Sequence, residues 1–295
     1  MNPKRDVLIV GGNGFIGHEI SQLLNSNGYD VKILTRSRSK QSEFPQIIGD
    51  LFDENSYKSI LEKLRPSVVI NCAWISQTQS YRDSPANLLY LEGSKRFAYH
   101  CFENGINHYI GIGSSAEYGK GGDSCVAGVT TPLPIDLYGK TKLECQTEVN
   151  QMANSAGTRF SWLRVFQAYG LSQDKNRLIP SAIITLQKNE EFVLSAPESR
   201  HDWISTKDIA SAVKFNLEND LPEVIDLGTG IGTSNLKVAE TIATLLNVNT
   251  NKIMSEIQQE SVSEDLFVGK DSPLLKAGWL PSDTLISGIG RLILQ

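Results

Sequence analysis

Tyr138 and Lys142 stand four residues apart in Tyr138-Gly139-Lys140-Thr141-Lys142, a spacing that puts both side chains on one face of a helix. A phenol ionises near pH ~10 and is a poor proton carrier at neutrality, and a neighbouring ammonium stabilises its phenolate. Such a pair can trade a proton with a substrate oxygen. Ser114 and Ser115 follow the strand-like run Tyr109–Gly113, where a hydroxyl can hold a carbonyl at the strand's carboxyl end. The same spacing of tyrosine and lysine also occurs on ordinary exposed helices, so its meaning depends on what surrounds it.

Near the N-terminus, Gly11-Gly12-Asn13-Gly14-Phe15-Ile16-Gly17 lies between a β-branched run, Val7–Val10, and a segment of helical period, Phe15–Asn27. Glycines at 11, 14 and 17 permit a tight turn and close backbone approach, and the helix N-terminus brings partial positive charge to a pyrophosphate. We therefore expect Gly11, Asn13, Gly14, Phe15, Ile16 and Gly17 to bind a dinucleotide; the alternative is a plain structural turn. At the end of the second strand, where a carboxylate would accept from the ribose of NAD, the chain has Thr35-Arg36-Ser37-Arg38-Ser39-Lys40. Three cations and no carboxylate suit a 2′-phosphate, so Arg36, Ser37 and Arg38 point to NADP(H), with NAD(H) also allowed and a solvated basic loop as the alternative.

These groups need a scaffold, and the hydrophobic pattern describes one. Short runs at Val31–Leu34, Ile47–Ile48, Val68–Asn71 and Phe160–Val165 alternate with helical segments at Ser56–Leu64, Leu88–Glu103 and Leu137–Ala153. With Val7–Val10 and Tyr109–Gly113 this makes six strands of an α/β, doubly wound parallel sheet. Beyond Tyr169-Gly170 the rhythm loosens into helices at Leu178–Leu186, Ile209–Leu217 and Leu236–Leu246 and strands at Phe192–Leu194 and Val224–Leu227. We expect residues 1–169 to form the dinucleotide-binding domain and 170–295 a smaller mixed α/β region packed on it, with a cleft between.

Composition narrows the class. The 295 residues carry 28 Lys+Arg against 33 Asp+Glu, a net charge of -5, which argues against a nucleic-acid partner. The longest apolar stretch, Val68–Ile75, is too short to span a membrane, and no signal-peptide profile opens the chain. Cys72, Cys101, Cys125 and Cys145 show neither a paired-thiol motif nor a dense framework, so free thiols in a reducing cytoplasm are expected. His18, His100, His108 and His201 lack metal-ligand spacing, and no metal is expected. Cys125 is read as an incidental thiol, although it lies in the loop before Tyr138. Arg177 and Arg200 fall where bidentate contacts to a diphosphate are possible, with surface ion pairs as the alternative.

Glycine turn, serine after a later strand, and tyrosine with lysine on the next helix stand in one order. With Gly49-Asp50-Leu51, Asn71-Cys72-Ala73, Gly113–Gly119, Leu163-Arg164, Arg200–Trp203 and Gly278–Pro281, the whole chain resembles the extended short-chain dehydrogenase/reductase family, in its branch of NAD(P)-dependent nucleotide-sugar epimerases, dehydratases and reductases. The resemblance implies that Tyr138 is the acid/base and that Lys142 is its partner, which also holds the nicotinamide ribose. It further implies that Ser115 binds the reacting oxygen, that Asp50 and Leu51 meet the adenine and that Ala73 lines the cofactor groove. Ser115 is preferred over Ser114, which is kept as a substrate contact together with Gln167. Tyr90 and Gln167 stand where relatives often carry Asn. Ala116 and Glu117 replace the Asp-Glu pair of the dehydratases, which disfavours dehydration. The activity so implied is NADPH-dependent reduction of a nucleotide-activated 4-keto-6-deoxyhexose by a cytoplasmic enzyme, compatible with a homodimer. A nucleotide-sugar epimerase with tightly bound NAD(P) and a non-enzymatic NADP(H) sensor are the alternatives.

Overall fold

Alternate residues of the first strand, Val7 and Ile9 against Leu8 and Val10, are all buried, the mark of a strand covered on both faces. In the computed structural model, which describes residues 6–40, 42–75, 80–119, 124–255 and 266–294, that strand is central. The chain runs β1 (Asp6–Val10), α1 (Phe15–Ser26), β2 (Asp30–Thr35), β3 (Gln46–Ile48), α2 (Glu54–Leu64), β4 (Val68–Asn71) and α3 (Ala86–Glu103). There follow β5 (His108–Ser114), α4 (Leu137–Ala156), β6 (Arg159–Val165), β7 (Gln167–Tyr169), α5 (Leu178–Gln187), β8 (Phe192–Leu194), β9 (Arg200–Ser205) and α6 (Thr206–Glu218). The last elements are β10 (Val224–Leu227), β11 (Gly232–Ser234), α7 (Asn235–Leu245), β12 (Ile253–Ser255), α8 (Pro273–Lys276) and α9 (Leu285–Ile293).

The main sheet has seven strands in the order β3-β2-β1-β4-β5-β6-β10, all parallel. Val7, Ile9, Ile33 and Ile70 pack with Ile20 and Leu24 of α1 and Ile209 and Val213 of α6. On the other face Leu8, Val10, Leu34 and Val69 meet Tyr57 of α2, Phe97 of α3 and Val149 of α4. Helices on both faces are what parallel crossovers impose. Strand order reverses between β1 and β4, and that reversal opens the crevice where ligands bind in such sheets.

The doubly wound α/β sheet expected from the sequence is present, with a seventh strand. Val224–Leu227, which the sequence placed with the C-terminal region, returns to the main sheet beside β6. Its four residues carry no signal of which sheet will take them; the long-range pairing Asp226 to Arg164 and Leu227 to Val165 does. The outlying elements form a three-stranded sheet, β11-β9-β7, and a β12-β8 pair, with α5, α7 and α9 around their own apolar core. Asp202 secures this region: its buried carboxylate accepts from Thr229 N, Thr229 Oγ1, Gly230 N and Val268 N at 2.6 to 3.0 Å. No described helix is long and apolar enough to cross a membrane.

Two glycines separate crowding from backbone entropy. A Cβ on Gly111 would lie 2.3 Å from the Trp162 ring, whereas one on Gly290 in α9 would meet nothing within 4 Å. Gly111→Ala should therefore lower unfolding free energy by about 1–3 kcal/mol. Gly290→Ala should raise it by about 0.5–1 kcal/mol. Urea unfolding of the two variants checks both signs.

Candidate active site

The glycine turn follows β1 directly, with Gly11 at φ +75°, a conformation side chains rarely adopt. A Cβ at Gly17 would stand 2.3 Å from the Gly11 carbonyl, so the turn closes on the helix only without one. Gly14 is the N-cap of α1 and offers no side chain to the first-turn amides, which leaves that end suited to an anion. The turn forms one wall of a cavity of about 480 Å³. Gly11, Asn13, Gly14, Phe15, Ile16 and Gly17 all line it, as do Arg36, Asp50, Leu51 and Ala73. Ser37 and Arg38 are exposed and lie outside that lining. Phe52, Trp74 and Tyr90, which sequence reasoning did not assign to a ligand, complete the wall as an aromatic row: Phe52 meets Tyr90 edge-on at 4.9 Å, and Tyr90 stacks on Trp74 at 5.8 Å. A groove with this turn and this helix end has the donors and the room that a dinucleotide would need.

A second cavity, about 170 Å³, shares Phe15, Ile16, Cys72 and Trp74 with the first. Ser114, Ser115, Tyr138 and Lys142 line it, together with Gln167 and Arg177. Tyr138 and Lys142 project from the first turns of α4, which Asp136 caps by accepting from Gly139 N at 2.7 Å. The same carboxylate receives Arg82 Nη1 at 2.7 Å, so the turn carrying Tyr81 is tied to this helix end. Tyr81 meets Tyr138 edge-on at 5.1 Å, and Arg177 lies over the opposite partner ring, 4.9 Å from the Tyr81 centroid.

Burial, then the Tyr81 hydroxyl, pushes the Tyr138 phenol well above its usual range, and a hydrogen bond with the Ser114 hydroxyl opposes the rise. Lys142 is buried, and desolvation lowers its ammonium to about 8. Its Nζ donates to the Ile112 carbonyl at 2.6 Å. The hydroxyl in contact with the phenol is thus Ser114, the last residue of β5, rather than the Ser115 preferred from the sequence. Ser115 opens the short turn Ser115–Glu117 at the rim of the same cavity.

Glu117 is turned away from the cavity and has no exposed surface. Its carboxylate accepts from Ser114 N at 2.8 Å, Trp162 Nε1 at 2.9 Å and Arg164 Nε at 2.6 Å. Arg164 in turn donates to the Tyr118 hydroxyl at 3.0 Å, and that hydroxyl donates to Asp226 at 2.8 Å. Arg200 is not brought to the cavity: it opens β9, donates to the Gly232 carbonyl at 3.0 Å and lies over Phe267. Cys125 is buried, and burial, with Asp226 adding to it, pushes its thiol up to about 12. Among the described residues no cluster of three or more His, Cys, Asp or Glu is placed to hold a metal.

Fold and cavities together describe a doubly wound α/β protein with two adjoining cavities at the reversal of its strand order. A model of the NAD dependent epimerase/dehydratase family matches residues 7–228, and the chain belongs to that family. It is 23% identical over 342 residues to the dTDP-L-rhamnose 4-epimerase of Burkholderia thailandensis, a match that covers 98% of this chain and 94% of that one. The solved UDP-N-acetylglucosamine 4-epimerase of Methanobrevibacter ruminantium shares the fold with TM-score 0.86 and 23% identity, covering 99% of both chains. The Thermus thermophilus UDP-glucose 4-epimerase, solved with NAD, superposes with TM-score 0.83 and 22% identity over 96% of each chain.

Removing the buried carboxylate of Glu117 leaves the Arg164 guanidinium, itself buried, without its ion-pair partner. Glu117→Ala should cost about 3–5 kcal/mol of unfolding free energy. Denaturant titration measures it, and a loss below about 1 kcal/mol would be typical of an exposed pair instead.

Proposed function

We propose that this chain is a nucleotide-sugar 4-epimerase that oxidises and re-reduces one sugar carbon with retained dinucleotide. The observation that carries the reading is the meeting of Ser114, Tyr138 and Lys142 in the second cavity, which shares Phe15, Ile16, Cys72 and Trp74 with the groove. A bound NAD(P) supplies the site that accepts and returns hydride. Gly11–Gly17 would hold its pyrophosphate, and Lys142 its nicotinamide ribose. Tyr138, ionised as the phenolate, takes the proton of the sugar hydroxyl as that carbon is oxidised and, as the neutral phenol, gives it back on reduction. Ser114 holds the oxygen in line, and Lys142 offsets the charge left on the phenolate. Epimers exchange when the keto sugar presents its other face between the two steps. Glu117, committed to Arg164 and Trp162, is in no position to shuttle the second proton that dehydration needs.

Reduction of a 4-keto-6-deoxy sugar with free NADPH is the second reading, and Arg36 favours it. This guanidinium stands in the groove at the end of β2, where no carboxylate occurs between Thr35 and Lys40. The two readings part on cofactor traffic. Purified protein incubated with a panel of nucleotide-linked hexoses, with and without added NADPH, should interconvert epimers with no net change in nicotinamide absorbance. Stoichiometric NADPH loss on a 4-keto sugar would establish reduction instead, and neither outcome would leave the dinucleotide-sensor reading.

Tyr138→Phe keeps the ring and removes the proton. Turnover on the active sugar should fall by about 10²–10⁴-fold while dinucleotide affinity stays within a few-fold. Wild-type turnover would move the acid/base role elsewhere. If Arg36 binds a 2′-phosphate, Arg36→Ala should weaken NADPH roughly ten- to a hundred-fold, the loss of a charge-assisted contact of about 1.5–3 kcal/mol, and leave NADH nearly unchanged. Paired titrations of the two cofactors read this out.

A further inference from the structure

The Lys142 ammonium is enclosed by rings. Its Nζ lies 4.0 Å from the centre of the Trp74 ring, with Trp162 at 5.8 Å and Tyr138 at 5.9 Å. We propose that Trp74 is a positioning residue for Lys142, its indole face holding the buried ammonium as a cation where the two cavities meet.

Trp74 is itself held in place. Its Nε1 donates to Asn87 Oδ1 at 2.9 Å, and its ring stacks on Tyr90. Asn87 is buried in the first turn of α3 and donates to the Tyr81 carbonyl at 2.7 Å. One side chain thus couples the indole over Lys142 to the turn whose ring stands against Tyr138.

The groups around the ammonium explain why the indole matters. From α4 it faces Cys145 and Tyr138, from the end of β4 Cys72, and from the turn after β5 Glu117. Burial pushes both thiols up to about 12, so they are neutral where the lysine titrates. Glu117 is bound to Arg164 and Trp162. The direct partners of the charge are the Ile112 carbonyl at 2.6 Å and the Trp74 π-face. A desolvated ammonium over indole gains more than an exposed one, and the gain favours the protonated form against a burial that lowers it to about 8. The catalytic meaning of this contact rests on the hydride-transfer reading, because that reading needs Lys142 charged; the contact itself does not.

The test is the titration of Lys142, followed by NMR in protein labelled with ¹³C at lysine Cε, with Lys142→Met to assign the signal. The midpoint in Trp74→Leu, which keeps apolar bulk and removes the π-face, should fall below wild type by about 0.5–1.5 pH units. Trp74→Phe should lie between them, since a smaller ring restores part of the interaction. A Leu midpoint equal to or above that of wild type, in protein with an unchanged circular dichroism spectrum, overturns the proposal. If the Leu variant does not fold, the Phe variant decides: its midpoint must lie below wild type. No turnover enters the measurement. A failed epimerase assay therefore leaves the titration shift intact, and an unmoved titration leaves the epimerase reading intact.

Discussion

The Glu117 carboxylate, sealed from water at the end of β5, is the point on which the rest of the site depends. A buried charge is tolerated only when paired and fully hydrogen-bonded, and Glu117 has a guanidinium, an indole N–H and a backbone N–H on its two oxygens. That requirement shapes the strands around it. Trp162 reaches the carboxylate because Gly111 and Gly113 have no side chains in its path: a Cβ on either would lie within 2.3 Å of the indole. The backbone of Ser114 is pinned by the same carboxylate, which fixes where its hydroxyl meets Tyr138.

From Arg164 the network runs outward through Tyr118 to Asp226, whose other oxygen accepts from Ala127 N at 2.7 Å. This line of polar contacts crosses β6 and β10 and ends in the loop that leads to α4. A polar chain of this kind, fully satisfied, specifies one arrangement where apolar packing alone would accept several. It also explains why β10 belongs to the main sheet: Asp226 pairs beside Arg164 in the ladder. Burial raises the Asp226 carboxyl to about 6, against the pull of Tyr118 and Arg164.

The two cavities owe their adjacency to topology. The reversal of strand order between β1 and β4 splays the loops that follow them, so Gly11–Gly17 and Cys72–Trp74 face across one crevice. The C-terminal elements add β7 residues Gln167 and Ala168 to the second cavity, and buried carboxylates hold these elements together. Asp202 gathers Thr229, Gly230 and Val268. Asp208 receives Ser282 N at 2.8 Å and Asp283 N at 3.1 Å, which holds the approach to α9.

Much of this was legible in the residues themselves. Alternating apolar runs, a glycine turn between strand and helix, and a tyrosine and lysine one turn apart are short-range patterns, and short-range patterns determine elements and their chemistry. Seven groove residues from Gly11 to Arg36 were readable for that reason, while Asp50, Leu51 and Ala73 came from the resemblance alone. What lay beyond the sequence depended on direction and on partners far along the chain. Ser114 and Ser115 are equivalent as letters and line the same cavity, and it is the first, at the end of a strand, that hydrogen-bonds the phenol. Glu117 stands by resemblance where dehydratases carry a working carboxylate, and Arg164 and Trp162 draw it inward. Arg200 reads as a cleft cation until β9 carries it to Gly232. Trp74 gave no signal at all, because a lone tryptophan after a strand acquires a role only when Lys142, 68 residues later, is folded beneath it. Local periodicity is written in the chain, whereas side-chain direction is settled by the packing that surrounds it.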